Sequence, residues 1–185
     1  RASLFDIIEH QRTGRLMSYN PATGATTTLL RELQFANGVA VSADGSRVFV
    51  VETGACRVLA YHLSGAQAGT ATPLVSDMPG YPDNITRGLD GRYWIGFTKP
   101  RSALMDALAA WPRLRKILLR LPQSMYPVPP PFGHVIAINA EGETLRRLQD
   151  AHPEYPDTTG VTESRAGLWI HSLHAAGLAF LGPRD

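Results

Sequence analysis

The chain has 185 residues, of which 44% are hydrophobic and 18% charged, a composition that indicates a folded domain of ordinary size and excludes a disordered chain. Its formal net charge is only +2, and no cluster of Lys and Arg is interleaved with aromatic residues, which argues against nucleic acid as a partner. A small-molecule substrate is the expected partner.

Two β-rich runs open the chain, at residues 14–19 and 26–30, and a bend-favouring segment at 20–24 joins them. They are predicted to be the outer strands of a blade whose inner strands are absent. Three further groups of β-rich runs follow, separated by turn segments. The predicted strands are 38–42, 47–52, 57–63 and 72–76, then 85–88, 93–98, 134–139 and 144–149, and finally 161–163, 168–173 and 177–181.

One segment occurs three times with the same internal spacing. Asn37, Asp83 and Thr159 each lie seven positions ahead of a turn residue, and a β-rich run follows every turn. The turn residues are Asp44, Asp90 and Ala166, each followed by glycine. Strand, tight turn and strand repeated in this way are typical of a β-propeller, in which equivalent positions of successive blades converge on a central axis. The repeat therefore predicts that Asn37 and Asp83 face each other.

The spacing between copies is regular apart from one insertion. Asn37 and Asp83 are separated by about one blade of 45 residues, whereas the step from Asp83 to Thr159 is about 30 residues longer. Residues 101–131 supply the excess, because their apolar positions recur every three or four residues and then give way to Pro-rich chain. This pattern predicts a helical insertion that is broken at Pro112.

The predicted blades number about three and a half, which is too few to close a ring. A propeller closes on itself so that its edge strands are protected. We therefore expect residues 1–185 to be the C-terminal part of a single propeller domain, with the remaining blades supplied by residues N-terminal to this chain. No run of 18 apolar residues and no signal sequence occurs, and because the chain begins at Arg1 rather than Met its localisation stays open.

Several stretches carry a resemblance to a known family. They are residues 37–42 (NGVAVS), 79–85 (PGYPDNI), 114–122, and 161–163 with 167–170. Over residues 6–181 the chain resembles the strictosidine synthase-like family, which includes adipocyte plasma membrane-associated protein and is related more distantly to the paraoxonases and to the gluconolactonase/regucalcin group. The resemblance implies an all-β, six-bladed β-propeller, of which this chain forms about the C-terminal half.

Oxygen-bearing side chains at the repeat positions suit a hard cation. The amide oxygen of Asn37 and the carboxylate of Asp83 are ligands that Ca²⁺ or Mg²⁺ prefers, and Asn84 offers a second amide oxygen. From the residues alone a structural role is equally open, since Asn and Asp at strand starts often cap turns through their own backbone.

The resemblance favours the metal site. In the paraoxonases and the gluconolactonase group, residues matching Asn37 and Asp83 bind metal, and in the paraoxonases the residue matching Asn84 does too. The resemblance thus implies Ca²⁺ at the propeller axis. The relatives complete the site with residues of the N-terminal half, which lie outside this chain.

Three functions stay open at this level. The resemblance implies a metal-dependent hydrolase of lactones or esters, of the calcium-dependent lactonase or arylesterase kind. A non-catalytic propeller that binds a small ligand or a protein partner is an alternative from another class. The third is a strictosidine synthase-type carbon–nitrogen lyase, but Thr159 stands at the family's catalytic Glu position, and a threonine hydroxyl does not titrate near neutrality. We therefore expect no true strictosidine synthesis, and the catalytic residues stay unassigned.

Two further residues are candidates for substrate contact. His171 stands where relatives often have glycine and is a candidate for lining the channel, and Trp111 lies in the insertion. His174 lies three positions further along, where a strand shared with His171 would place it on the opposite face, so the two histidines do not form a paired metal site. Glu52 and Glu163 lie within strand patterns, where surface or hydrogen-bonded roles are expected.

The insertion permits two interpretations. Residues 103–121 carry an apolar stripe with Arg and Lys beside it, a pattern compatible with a helix at a membrane surface. The same stripe is compatible with a lid packed over the channel mouth. The lid is the favoured interpretation, because such insertions shape pockets in related propellers.

Overall fold

The structure is a computed structural model that describes residues 11–108, 111, 132–150 and 154–183. Within these residues every element except one short helix is a strand, which confirms the predicted all-β class. The elements are β1 (Gly14–Tyr19), β2 (Thr26–Leu33), β3 (Ala36–Val41), β4 (Arg47–Glu52), β5 (Arg57–His62), β6 (Ala71–Val75), β7 (Gly80–Arg87), β8 (Tyr93–Pro100), α1 (Ala103–Ala107), β9 (Gly133–Ile138), β10 (Thr144–Asp150), β11 (Thr158–Ser164), β12 (Gly167–Ser172) and β13 (Ala179–Leu181).

The strands form four antiparallel sheets in which neighbours along the chain are also neighbours in the sheet. Sheet A contains β1 and β2, sheet B contains β3 to β6, sheet C contains β7 to β10, and sheet D contains β11 to β13. Tight hairpins join β3 to β4 and β7 to β8, and in them Gly45 and Gly91 adopt the left-handed backbone conformation that such turns require, with φ of 71° and 76°. The sheet order confirms the predicted blades.

Consecutive sheets pack face to face, and each pair shares its own hydrophobic cluster. In β4, Val50 belongs to the cluster that also contains Leu16 and Leu33 of sheet A. Its neighbours Phe49 and Val51 belong instead to the cluster shared with sheet C. Because successive side chains of a strand point to opposite faces, a strand with apolar residues at every position is buried on both sides.

Sheet C repeats this arrangement one step further along the chain. Tyr93 and Ile95 of β8 belong to the cluster shared with sheet B, whereas Trp94 belongs to the cluster shared with sheet D, which includes Val161 and Leu168. Sheets that follow one another in this way, each buried on both faces, are stacked as propeller blades are.

The four described sheets do not close into a ring, and apolar side chains are exposed on sheet B and on sheet D. Val39 and Val41 of β3 are exposed, whereas Ala40 between them packs toward sheet C. Trp169 and Phe180 of sheet D contact each other, with ring centroids 4.5 Å apart, and are likewise exposed. In a closed propeller such faces are covered by neighbouring strands.

The inner strands begin earlier than predicted. β3 starts at Ala36, β7 at Gly80 and β11 at Thr158, so the predicted site residues lie inside strands rather than ahead of them. Gly, Pro, Asn and Asp favour turns locally, which conceals a strand from the sequence pattern. Each inner strand is also an edge of its sheet, and an edge position tolerates a residue such as Pro82 that has no backbone N–H.

The helix α1 (Ala103–Ala107) is a described part of the predicted insertion. Arg101 precedes it and holds it through an ion pair from Nε to Asp106 at 2.7 Å. Most of residues 109–131 lie outside the described residues, so the extent of the insertion, its place in the domain and a membrane-surface contact through 103–121 stay predictions. Within the part of the chain that the structure describes, no helix is both long and apolar enough to cross a bilayer.

Glu163 of β11 joins sheets C and D through a small hydrogen-bond network. Its Oε2 accepts hydrogen bonds from Trp94 Nε1 and Leu89 N, each at 2.9 Å, and its Oε1 lies 3.5 Å from the guanidinium of Arg92. A Cβ on Gly88 would overlap Oε2 and lie 2.9 Å from Trp94 Cδ1, so a larger residue at position 88 would displace the carboxylate. The Glu163 carboxylate is therefore a structural link between two blades.

Replacing Glu163 with Ala is expected to lower the free energy of unfolding by about 2–4 kcal/mol, because the buried Trp94 indole and the Leu89 amide lose their common acceptor. Glu163→Gln retains an acceptor oxygen, and its loss should be about half as large. Urea denaturation followed by tryptophan fluorescence measures both. Glu154→Ala, which removes an exposed carboxylate, is the control, and a loss of equal size there would contradict the role given to Glu163.

Candidate functional site

The predicted site residues lie in β-bulges of three inner strands. The register shifts that mark these bulges fall at residues 36–39 of β3, 82–85 of β7 and 158–160 of β11. Asn37, Asp83 with Asn84, and Thr159 occupy them at the same repeat position. A bulge removes residues from the regular ladder and redirects their side chains, and it often lies beside a functional site. All three bulges lie near the start of an inner strand, and therefore on the same face of the propeller.

The structure brings the side chains of Asn37 and Asp83 together across two blades. Asn37 Nδ2 donates a hydrogen bond to Asp83 Oδ1 and a second one to Thr53 Oγ1 at 3.3 Å. Thr53 in turn donates its hydroxyl proton to Pro82 O at 2.6 Å. The threonine therefore accepts from one inner strand and donates to the next, which holds the amide beside the carboxylate.

The Asp83 carboxylate is buried, with 8% of the residue exposed. Burial raises the pKa of Asp83, and the hydrogen bond from Asn37 opposes this shift. No Lys, Arg or His among the described residues forms an ion pair with Asp83, and no three His, Cys, Asp or Glu side chains cluster within the described ranges. A metal site here would therefore depend on amide oxygens as well as on this carboxylate, and the ligand roles of Asn37, Asp83 and Asn84 stay predictions.

A glycine sets the distance between the two inner strands. A Cβ on Gly38 would lie 2.5 Å from Ile85 N and 2.6 Å from Asn84 Cα, both of them backbone atoms. Any larger residue would push β3 away from β7. The close approach that places Asn37 beside Asp83 therefore requires glycine at position 38.

The variant Gly38→Ala is expected to lose about 1–3 kcal/mol of stability, the usual cost of forcing an extra methyl group into a packed interior. It should also separate Asn37 from Asp83. Urea denaturation measures the first effect, and the carboxyl ¹³C chemical shift of Asp83 reports the second. Gly177→Ala is the matched control, because a Cβ there would meet no atom within 4 Å; stability losses that do not differ would refute the close-approach argument.

Asn84 and His171 both lie close to Gly160. A Cβ on Gly160 would lie 3.3 Å from Asn84 Cβ and 3.5 Å from His171 Nδ1. The other ring nitrogen of His171, Nε2, lies 3.1 Å from Thr162 Oγ1. These two candidates are thus neighbours near the bulge of β11, and the role of His171 in substrate contact stays a prediction.

The remaining candidates are placed less centrally. Thr159 is buried in the bulge of β11, and the neighbouring Thr158 hydroxyl bonds the backbone of sheet C at His134 O, 2.8 Å away. Trp111 is 61% exposed. Because the residues on both sides of Trp111 lie outside the described residues, its place relative to the channel stays a prediction.

Two features of the site were not evident from the sequence pattern. Thr53 follows the end of β4, and only the pairing of Ala36 with Glu52 brings its hydroxyl to the bulge of β3. The expectation that His171 and His174 share a strand is wrong, because β12 ends at Ser172 and His174 belongs to the following loop. The run of strand-forming residues continues past the point where backbone pairing stops.

A cavity of about 570 Å³ lies between the outer strands of sheets C and D, and none of the predicted site residues lines it. His134 on its wall is buried and stacks on Phe97, with ring centroids 4.7 Å apart. Burial, together with the charge of Arg147, lowers the pKa of His134 to about 4. This ring is therefore neutral at pH 7, and the cavity is distinct from the Asn37 and Asp83 pair.

Sheet order, two-sided packing and bulged inner strands define the described chain as part of a β-propeller. The family described as Strictosidine synthase matches residues 1–66. Protein STRICTOSIDINE SYNTHASE-LIKE 3 of Arabidopsis thaliana is 34% identical over 174 residues, which cover 90% of this chain and 44% of that protein. Adipocyte plasma membrane-associated protein of Bos taurus is 31% identical over 189 residues, which cover 99% of this chain and 44% of that protein. The chain belongs to the strictosidine synthase-like family and spans about half the length of these curated relatives.

Solved structures share the fold. A gluconolactonase from Xanthomonas campestris matches with a TM-score of 0.61 and 20% identity, covering 96% of this chain and 53% of the other. The calcium-binding protein regucalcin from Agrobacterium tumefaciens matches with a TM-score of 0.56 and 14% identity, covering 91% and 47%. At these identities the likeness concerns the fold alone, and it agrees with the propeller assignment.

Proposed function

We propose that this chain forms part of a metal-dependent hydrolase of lactones or esters, in which Asn37, Asp83 and Asn84 contribute to a Ca²⁺ site at the propeller axis. The observation that carries the proposal is the contact between Asn37 and the buried Asp83 carboxylate, made by two blades at equivalent bulges. A buried carboxylate that lacks a cationic side chain beside it is stabilised by a bound cation. The gluconolactonase and the calcium-binding regucalcin among proteins of the same fold support the choice of reaction and of ion.

The chemistry of the three side chains fits a hard cation. They offer two amide oxygens and a carboxylate, whereas Ca²⁺ takes about six to eight oxygen ligands, so they would supply only part of its shell. Asn37 directs its amide nitrogen toward Asp83, and the assignment of N and O in an amide follows from the hydrogen-bond pattern. As a ligand, Asn37 would present its oxygen after rotation of the amide group.

The chain's own residues prepare the site for substrate. Before a cation binds, Thr53 holds Asn37 through Nδ2 and is held in turn by Pro82 O, which keeps the amide beside the carboxylate; rotation of the amide to present its oxygen would release this bond. Asp83 supplies a negative charge in a buried setting, where electrostatic attraction is stronger than in water. When bound, Ca²⁺ polarises the carbonyl group of an ester or lactone toward attack by water.

Asp83→Ala is expected to remove both calcium binding and hydrolysis. Calcium at 100 times its dissociation constant should stabilise the wild type by about 2.7 kcal/mol, or roughly 5–11 °C in the thermal midpoint of a chain of this size. We expect this increment to vanish in Asp83→Ala, together with a loss of activity on a panel of lactones and aryl esters of about 100-fold or more.

Asp44→Asn is the control for that experiment, because it removes the charge of an exposed carboxylate in a hairpin turn. It should retain both the calcium increment and the activity. A calcium increment of unchanged size in Asp83→Ala would exclude Asp83 as a ligand. A wild type that binds calcium and hydrolyses no member of the panel would favour the non-catalytic alternative.

No strictosidine is expected when the full chain is incubated with tryptamine and secologanin. Thr159 has no titratable side chain with which to deprotonate the amine, and general-base catalysis of that step requires one. Mass spectrometry of the products provides the measurement, with a plant strictosidine synthase as the positive control. Product formation at a rate comparable to that control would overturn the preference for hydrolysis over condensation.

A further inference from the structure

A lysine and a histidine side chain converge on the buried carboxylate of Asp157. Lys99 Nζ lies 2.6 Å from Asp157 Oδ1, and His174 Nδ1 lies 2.7 Å from Asp157 Oδ2. The Asp157 side chain is 5% exposed, whereas the His174 side chain is 67% exposed. A buried carboxylate thus holds one end of an imidazole ring whose bulk faces solvent.

The backbone around these residues is fixed by its own hydrogen bonds. Asp157 has a left-handed backbone conformation, with φ of 54°, and its carbonyl accepts a hydrogen bond from Leu173 N at 3.1 Å. Ser172 Oγ donates to Pro156 O at 2.5 Å and accepts from His174 N at 3.1 Å. The loop before β11 and the loop after β12 are therefore tied together, which places the imidazole opposite the carboxylate.

This cluster lies at the same end of the blades as the bulges. Asp157 directly precedes β11, and Lys99 is paired with Tyr81 at the start of β7. Thr158 is paired with Ser172, so the loop that carries His174 leaves sheet D at that end too. The three side chains of the cluster therefore lie on one face of the propeller. The same face carries the strand starts with Asp83 and Thr159.

The contact with Asp157 defines which nitrogen of His174 is available. An ionised carboxylate only accepts hydrogen bonds, so the Nδ1 that faces it carries the proton. In the neutral ring Nε2 is then an acceptor with a free lone pair, the form that a general base requires. Lys99 balances the charge of the carboxylate from its other oxygen, which leaves Asp157 to orient the ring.

We propose that His174 is a proton-accepting group on the propeller face that carries the bulges, with Asp157 and Lys99 as its positioning residues. For its substrate this role rests on the proposed hydrolase function. As water oxygen bonds to the carbonyl carbon of an ester or lactone, His174 Nε2 takes a proton from that water. The bond from carbon to the leaving oxygen then breaks, and His174 returns the proton to that oxygen, which yields an acid and an alcohol and restores the ring.

The ring nitrogens of the full chain can be observed directly by ¹⁵N NMR, with His174→Gln to assign the signals. The wild type is expected to hold neutral His174 as the Nδ1–H tautomer. Asp157→Asn should reverse this, because Lys99 retains the amide oxygen of the new side chain and turns its NH₂ group toward Nδ1. His62, whose Nε2 lies 3.1 Å from the Thr72 hydroxyl rather than from a carboxylate, should keep its tautomer in the same variant.

Two tautomer results would overturn the proposal. One is a wild-type His174 in the Nε2–H form, a result that does not depend on any enzymatic activity. The other is an unchanged tautomer in an Asp157→Asn variant whose circular dichroism shows it to be folded.

Steady-state kinetics with an ester that the wild type hydrolyses then test whether His174 accepts a proton during the reaction. His174→Gln should lower kcat by about 100-fold or more with little change in KM, and His62→Gln should lower it by less than about 3-fold. Full activity in His174→Gln would refute the proton-accepting role. If the wild type hydrolyses no ester or lactone, the hydrolase proposal fails, and the tautomer measurements alone decide whether His174 is a positioned acceptor.

Discussion

Burial of the central strands on both faces is the constraint on which the rest of the structure depends. Val50 of β4 packs toward one neighbouring sheet, and Phe49 and Val51 pack toward the other. Each such side chain contributes about 1.5–3 kcal/mol when fully buried, so neither face can be left to solvent without loss. Sheets that must be covered twice stack one after another, and this stacking brings the inner strands β3, β7 and β11 of sheets B, C and D to a common axis.

Close packing of the inner strands at that axis also forms the contact between Asn37 and Asp83. The inner strands leave their regular ladders at the bulges, and Gly38 lets two of them approach until an amide and a carboxylate touch. Thr53 then bonds to both strands and holds the contact. A buried Asp83 is unfavourable for folding by itself, as the upward shift of its pKa indicates. Buried ionisable side chains that destabilise the fold are common at functional sites.

The blades could be predicted from the sequence because strand patterns and turns recur with a constant spacing, and the same repeat predicted that Asn37 meets Asp83. The starts of the inner strands could not, since Pro82 and the residues of the bulges favour turns when they are considered locally. The partners of Asp157 also escaped prediction. Lys99 and His174 reach it from loops and strand ends, where contacts follow from the path of the backbone rather than from a periodic pattern.

Because every hydrophobic cluster joins only two consecutive sheets, energetic coupling passes from one sheet to the next, as it does in solenoid repeats. Sheets B and C are supported from two sides, whereas sheets A and D have a described neighbour on one side only. Amide hydrogens of the terminal sheets should consequently exchange with deuterium before those of β4 and β8. A molecule that covers Trp169 of sheet D therefore slows the easiest local opening of the chain, in addition to shielding an apolar surface from water.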